Sequence, residues 1–223
     1  CVSVHGANRL GANSLLSATF SGIIAGEAAV ASVKALKKGA ADTPDRYYEA
    51  EKNRQKSINE ALIASNGHEN PFALHRELGD VMQEYVFVER DNPGLDKAIG
   101  AIRKLRERSG RVLLHDTGTR TNQSLSWARQ IRDMIVMAEV IAVGARKRDE
   151  CRGSHYKAEF ELKIPEGKFE GDPEFEAFKA KWKANNDKWL KTTVATHTPD
   201  GPKIDYRPVE LSVLPPETPR DYR

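Results

Sequence analysis

At 223 residues the chain is long enough for one large domain or two small ones around a sizeable core. With 30% charged and 39% hydrophobic side chains it is too apolar for disorder and too polar for an integral membrane protein. Its 35 basic and 32 acidic residues are interspersed, so a net charge of +3 offers no basic stripe for nucleic acid, and its two cysteines, Cys1 and Cys151, are too few for a disulfide framework or a structural zinc site.

The chain opens on Cys1-Val2-Ser3 without an initiator Met or a secretory leader, and the expectation is a fragment of a longer reading frame. Residues 4 to 15, VHGANRLGANSL, form a polar loop punctuated by Gly6 and Gly11 that runs into a helix. Asn13 or Ser14 caps that helix, which begins near Leu15. Its first N–H groups lack intrahelical acceptors and carry the positive end of the helix dipole, so the site favours an anion or an electron-rich carbonyl. Arg9, just upstream, brings a planar fork that fits a carboxylate or phosphate in bidentate geometry.

The helix continues through small and apolar residues to Leu36, with Gly22 and Gly26 four apart and Lys34, Lys37 and Lys38 at its C-terminal end. Ser14, Ser17, Thr19, Ser21 and Glu27 interrupt the apolar run, and no aromatic belt flanks it. The expectation is a buried helix packed closely against a sheet or a cofactor domain rather than a membrane span. Residues 39 to 45 read as a linker and domain boundary, and residues 46 to 65 as a charged helix stopped by Asn66-Gly67.

Three helices with a helical apolar period follow. The first starts at Pro71 with Leu74, Leu78, Val81, Met82 and Tyr85. The second starts near Pro93 with Leu95, Ala98, Ile99, Ile102 and Leu105, and ends at Gly110. The third covers residues 122 to 150 and aligns Ala128, Ile131, Ile135, Ala138, Ala142 and Ala145 in a narrow seam suited to antiparallel packing. Together they predict a small bundle. His75 and His115 read as capping or surface residues, and Arg103, Arg106, Arg108 and Arg111, mixed with Lys104 and Glu107, as a solvated surface.

Beyond the bundle, Cys151 and His155 lack two further ligands for a metal, and Arg152 and His155 read as structural or interdomain hydrogen bonders. Residues 160 to 164 read as extended, 173 to 184 as a short helix carrying Phe175, Phe178 and Trp182, and 189 to 197 as a strand. Thr198-Pro199-Asp200-Gly201-Pro202 is a turn, with residues 203 to 209 returning. The fold class is therefore a mostly helical α+β chain ending in a β-hairpin.

Two strings carry a family resemblance. HGANRLGANSLL, residues 5 to 16, resembles the loop that passes between substrate and flavin in the succinate dehydrogenase and fumarate reductase flavoproteins. Glu150-x-Arg152-Gly153-x-His155 resembles a signature at the end of the helical domain of the same family, which usually has serine where Cys151 stands. Many members have Gly in place of Ala12 and Asp in place of Ser17, and the NSLLS form is similar to the menaquinone-linked branch. The resemblance covers nearly the whole chain. It implies that residues 1 to 44 close an FAD-binding α/β domain, 45 to 150 form the helical domain, and 151 to 223 form a C-terminal α+β segment.

The resemblance further implies that Arg9 grips a carboxylate of succinate or fumarate and that Ser14 and Leu15 contact FAD. No G-x-G-x-x-G fingerprint occurs here, and the family's proton-transferring Arg and flavin-attaching His belong to earlier segments, so no catalytic residue is assigned. The implied activity is oxidation of succinate to fumarate by the flavoprotein subunit of a succinate:quinone oxidoreductase. Its partners are an iron–sulfur subunit and, through it, a quinone-binding membrane anchor, which hold it at the cytoplasmic side of the inner membrane. Fumarate reductase, L-aspartate oxidase and a non-enzymatic helical interaction module are the alternatives.

Overall fold

The structure is a computed structural model that describes residues 14 to 212. Six helices precede a two-stranded antiparallel sheet: α1 (Ser14–Ala35), α2 (Asp45–Ile63), α3 (Pro71–Tyr85), α4 (Asn92–Ser109), α5 (Gln123–Arg146), α6 (Pro173–Trp189), β1 (Lys191–Thr198) and β2 (Gly201–Pro208). The mostly helical class with a closing hairpin is as the sequence predicts.

The starts of the bundle helices follow from local chemistry. Asn70 Oδ1 accepts from Phe72 N at 2.9 Å, Asp91 Oδ1 from Gly94 N at 2.6 Å and Asn122 Oδ1 from Leu125 N at 2.8 Å. Each satisfies a first-turn donor that has no intrahelical partner, and Pro71 and Pro93 stand where a missing N–H costs nothing. The apolar seams then meet. Leu74 and Leu78 of α3, Leu95, Ala98, Ile102 and Leu105 of α4, and all six predicted seam residues of α5 are buried in one core with Leu62, Val86, Val112 and Leu114.

Ion pairs report the helix directions. Arg146 meets Asp96 and Arg103 meets Glu139, so α4 and α5 run antiparallel; Arg108 meets Glu69 and Glu77 while Gly94 lies against Tyr85, so α3 and α4 do too. Arg129 of α5 donates to Asn59 Oδ1 at 2.6 Å and so ties in α2. The hairpin lies along α5, where the Tyr206 hydroxyl donates to the Lys147 carbonyl at 2.7 Å. Its register pairs Thr198 with Gly201 and Lys191 with Pro208, and Gly201 takes φ +119° at the turn.

Several expectations are corrected. Three of the four arginines around α4 are not simply solvated: Arg103 and Arg106 clamp the buried Glu139 at 2.9 and 3.0 Å, and Arg108 forks onto Glu69 and Glu77, while Arg111 is exposed as expected. Gly67 is not the stop of α2, which ends at Ile63; a β-carbon at Gly67 would lie 1.9 Å from the Arg111 carbonyl oxygen, so that glycine permits a close backbone crossing. A 3-10 turn at Ala158–Phe160 takes the first residue of the expected extended segment, and residues 161 to 164 join no strand among the described residues. Helix α6 runs past Ala184 to Trp189, and α5 stops at Arg146.

The largest departure is α1. None of its residues is buried by the described chain, and Leu15, Leu16, Phe20, Ile23, Ile24, Val30 and Val33 are all exposed. Among the described residues nothing supplies the cover that the sequence predicts. By length and composition α1 is long and apolar enough to cross a membrane.

Candidate functional site

Arg9 and the rest of the glycine-punctuated loop lie outside the described residues, so the structure does not place the predicted carboxylate grip. Ser14 and Leu15 form the first turn of α1, and Leu15 is 83% exposed. No acidic residue stands in that turn, which leaves the positive end of the helix dipole uncompensated by its own side chains. Backbone donors beside an exposed apolar side chain suit a ligand that offers both a flat apolar face and an electron-rich edge.

The second string folds into a polar junction. Glu150 is completely enclosed; its Oε1 accepts from Arg148 Nε at 2.8 Å and from Arg148 Nη2, and its Oε2 from Arg152 Nε at 2.9 Å. Each arginine then reaches another element. Arg148 donates to the Trp189 carbonyl, to the Lys191 carbonyl at 2.8 Å and to Thr193 Oγ1 at 2.8 Å, while Arg152 donates to Asn186 Oδ1 at 2.8 Å. One buried carboxylate thereby fastens α6 and β1 to the end of α5.

Gly153, at φ +58°, and Ser154 make the two-residue turn between Arg152 and His155, whose backbones exchange hydrogen bonds at 2.9 and 3.0 Å. The turn returns His155 to Arg90 and to the Arg148 carbonyl. Lys157, also fully enclosed, donates to Asn92 Oδ1 at 2.8 Å and Asp149 Oδ1 at 3.0 Å. Burial pushes the Lys157 ammonium below its ordinary value despite the Asp149 partner; burial raises the Asp149 carboxyl, but Lys157 and Asn92 outweigh it and hold it low.

Cys151 makes the contacts that a serine hydroxyl would make in its place. Its Sγ donates to the Lys157 carbonyl at 3.1 Å and accepts from Lys157 N at 3.4 Å, the pair of bonds a hydroxyl would make. Burial raises its pKa, which keeps it a thiol. Arg152 and His155 are thus structural hydrogen bonders, as their sequence reading has it. Glu150, the first residue of the quoted string, centres the junction; Arg148, Lys157 and Arg90 complete it and carry no isolated sequence signal, since they have partners up to 65 residues away.

The histidines of the bundle stay apart from this junction. His75 packs its edge on Trp127 with ring centroids 4.8 Å apart. His115 and His68 line a shallow depression at the start of α3 with Glu69, Phe72 and Ser124. Among the described residues no cluster of three or more metal-ligating side chains occurs.

The family described as fumarate reductase flavoprotein C-term matches residues 75–222. The succinate dehydrogenase flavoprotein subunit of Bacillus subtilis is 36% identical over 99% of this chain and 34% of its own length. The fumarate reductase flavoprotein subunit of Haemophilus influenzae is 29% identical over 96% of this chain and 32% of its own. A solved Escherichia coli quinol fumarate reductase chain superposes with a TM-score of 0.75 at 29% identity, over 97% of this chain and 33% of that one. The chain thus spans about a third of the length of its relatives. With two thirds of its residues matched by the family and its fold shared with a solved member, the chain belongs to the succinate dehydrogenase and fumarate reductase flavoprotein family.

Proposed function

We propose that this chain is the C-terminal portion of the flavoprotein subunit of a succinate:quinone oxidoreductase. Residues 1 to 44 close its FAD-binding domain, 45 to 150 form its helical domain, and 151 to 223 its C-terminal segment. The observation that carries the reading is 36% identity to a succinate dehydrogenase subunit across nearly the whole chain, including the loop around Arg9. FAD, where bound, supplies the two-electron acceptor for dehydrogenation of a dicarboxylate.

Within that reaction Arg9 holds a substrate carboxylate in its fork, fixing the reacting C–H bonds and countering the substrate's charge. The first-turn N–H groups of α1 at Ser14 and Leu15 favour the electron-rich edge of the cofactor. The exposed apolar sides of α1 support cover by the remainder of the flavin domain; Glu27 and the serines along the helix argue against lipid. Electrons leave through an iron–sulfur subunit towards quinone in a membrane anchor, with the flavoprotein peripheral on the cytoplasmic side. A fumarate reductase is the second reading, favoured by the family description and by the likeness to a quinol fumarate reductase.

The test is Arg9→Lys in the full-length flavoprotein assembled with its partner. Lysine keeps the charge and loses the fork, and hydrogen bonds to charged groups are worth about 1.5–3 kcal/mol, roughly 10- to 100-fold in affinity. Malonate binding by flavin absorbance and steady-state turnover should both fall while flavin content stays constant. Wild-type affinity and turnover in that variant would remove Arg9 from the site. Rates of succinate oxidation and fumarate reduction in the wild type, compared at matched donor and acceptor potentials, separate the two directions.

A further inference from the structure

We propose that His155 is an acid-sensitive latch that holds the turn at residues 152 to 156 against the loop between α3 and α4, and lets go when its imidazole takes up a second proton. The ring is 5% exposed and both nitrogens face groups of fixed polarity. Nε2 lies 2.9 Å from the Arg148 carbonyl, which only accepts, so Nε2 carries the proton. Nδ1 lies 2.8 Å from Arg90 Nη1, which only donates, so Nδ1 presents its lone pair. The neutral imidazole satisfies both neighbours. The imidazolium satisfies only Arg148 and sets an N–H against a guanidinium N–H.

Arg90 cannot simply withdraw. Its Nε donates to the Val86 carbonyl at 2.7 Å and its Nη2 to the Phe87 carbonyl at 3.3 Å, which pins the guanidinium to the C-terminal end of α3. Around the ring stand the cations Arg90, Arg148 and Lys157 and the anion Glu150. Glu150 is already engaged by Arg148 and Arg152, and Asp149 by Lys157, so neither carboxylate is free to pair directly with a new charge. Burial first, then the Arg90 and Lys157 charges, depress the proton affinity of His155; the Arg148 carbonyl and Glu150 pull the other way and do not prevail.

The sign follows from the lowered value. Above the ordinary histidine pKa of 6.5 the closed contact has its full strength. As pH falls below it, the open form takes up a proton that the closed form resists, and closure weakens until the lowered closed-state value is reached. The opening is local. Arg90 N donates to the Tyr156 carbonyl at 3.1 Å, so this backbone link leaves with the side-chain contact. The Nε2–H bond to the Arg148 carbonyl survives protonation, and the Arg148 guanidinium continues to hold the Trp189 and Lys191 carbonyls.

Hydrogen exchange of the full-length flavoprotein between pH 7.5 and 5.0, divided by intrinsic amide rates, reads this directly. An open state titrating at 6.5 raises the opening constant at most about 30-fold over that range. We expect protection of the segment containing the Arg90 amide to fall towards that limit of about 30-fold while the segment containing the Leu190 amide stays within about twofold. His155→Asn keeps an acceptor near the Nδ1 position and cannot titrate, so its profile at Arg90 should be flat. A flat wild-type profile, equal loss at both segments, or an unchanged pH dependence in His155→Asn each overturns the latch; if that variant fails to fold, the contrast between the two wild-type segments decides alone.

Discussion

Replacing Glu150 with Gln changes the charge at the centre of the junction and almost nothing of its shape. The enclosed carboxylate accepts from both Arg148 and Arg152, and removing one member of a buried ion pair costs about 3–5 kcal/mol. The lower end applies here for two reasons. Arg148 retains the Trp189 and Lys191 carbonyls and the Thr193 hydroxyl as acceptors, and Arg152 retains Asn186 and is 33% exposed, so water reaches its fork. Against this, the amide of Gln must turn one donor towards a guanidinium. The expected loss is about 3 kcal/mol, or somewhat more than 100-fold in the folding equilibrium.

Glu139→Gln supplies the comparison that tests the reason. Its carboxylate is as buried as Glu150, but its partners Arg103 and Arg106 are 51% and 41% exposed and rehydrate when released. Its loss should be nearer 1 kcal/mol. The assay is equilibrium urea unfolding followed by circular dichroism and tryptophan fluorescence together, because coincident transitions license one free energy. With slopes of about 1–3 kcal/mol per molar urea, the Glu150→Gln midpoint should drop by about 1 M or more and that of Glu139→Gln by about a third as much. Equal shifts, or a Glu150→Gln midpoint within about 0.3 M of wild type at unchanged slope, would refute the assignment of the cost to buried, multiply anchored arginines.

Gly67→Ala puts a methyl 1.9 Å from the Arg111 carbonyl oxygen, closer than any side-chain rotation can relieve. The crossing between residues 65–69 and 111–113 must open, and a loss of ~3 kcal/mol or more, with increased exchange of the Leu113 amide that donates to Glu69, is expected. Ser14→Pro removes a backbone donor at the start of α1 without disturbing the first-turn geometry. The flavin midpoint potential of the folded, fully flavinylated variant should fall, and an unchanged potential in redox titration removes this helix end from the cofactor.

Much of the bundle was legible because its information is local. The starts read at Pro71, near Pro93 and near residue 122 agree with the observed helices, and the six-residue seam of α5 is buried in full. What escaped is non-local. The α4 arginines read as solvated because Glu139, the carboxylate that clamps two of them, lies 33 and 36 residues away on another helix. The sequence reading ends α6 at Ala184, but the Asn186 side chain receives Arg152 and its carbonyl receives Leu190 N, and the helix continues to Trp189. Residues 161 to 164 alternate like a strand but join none among the described residues, and alternation without a ladder leaves extended chain.

Helix α1 and the junction around Glu150 show opposite ways in which a segment depends on its surroundings. The junction brings its own partners: each buried charge of Arg148, Glu150, Arg152 and Lys157 is met by another group of this chain, as a low-dielectric site requires. The apolar side chains of helix α1 find no cover among the described residues. Its apolar side chains project around its whole circumference rather than along one stripe, and a helix that is apolar all round needs cover on every side. Four serines and Glu27 within that run are costly in lipid but readily satisfied against protein, so the cover that suits the sequence is a folded domain with its own polar groups. The glycines at 22 and 26, where an added β-carbon would meet nothing among the described residues, then acquire a use as points of close approach. Thus the part of the chain nearest the proposed chemistry is the part least able to organise itself, and the part farthest from it in sequence is self-sufficient.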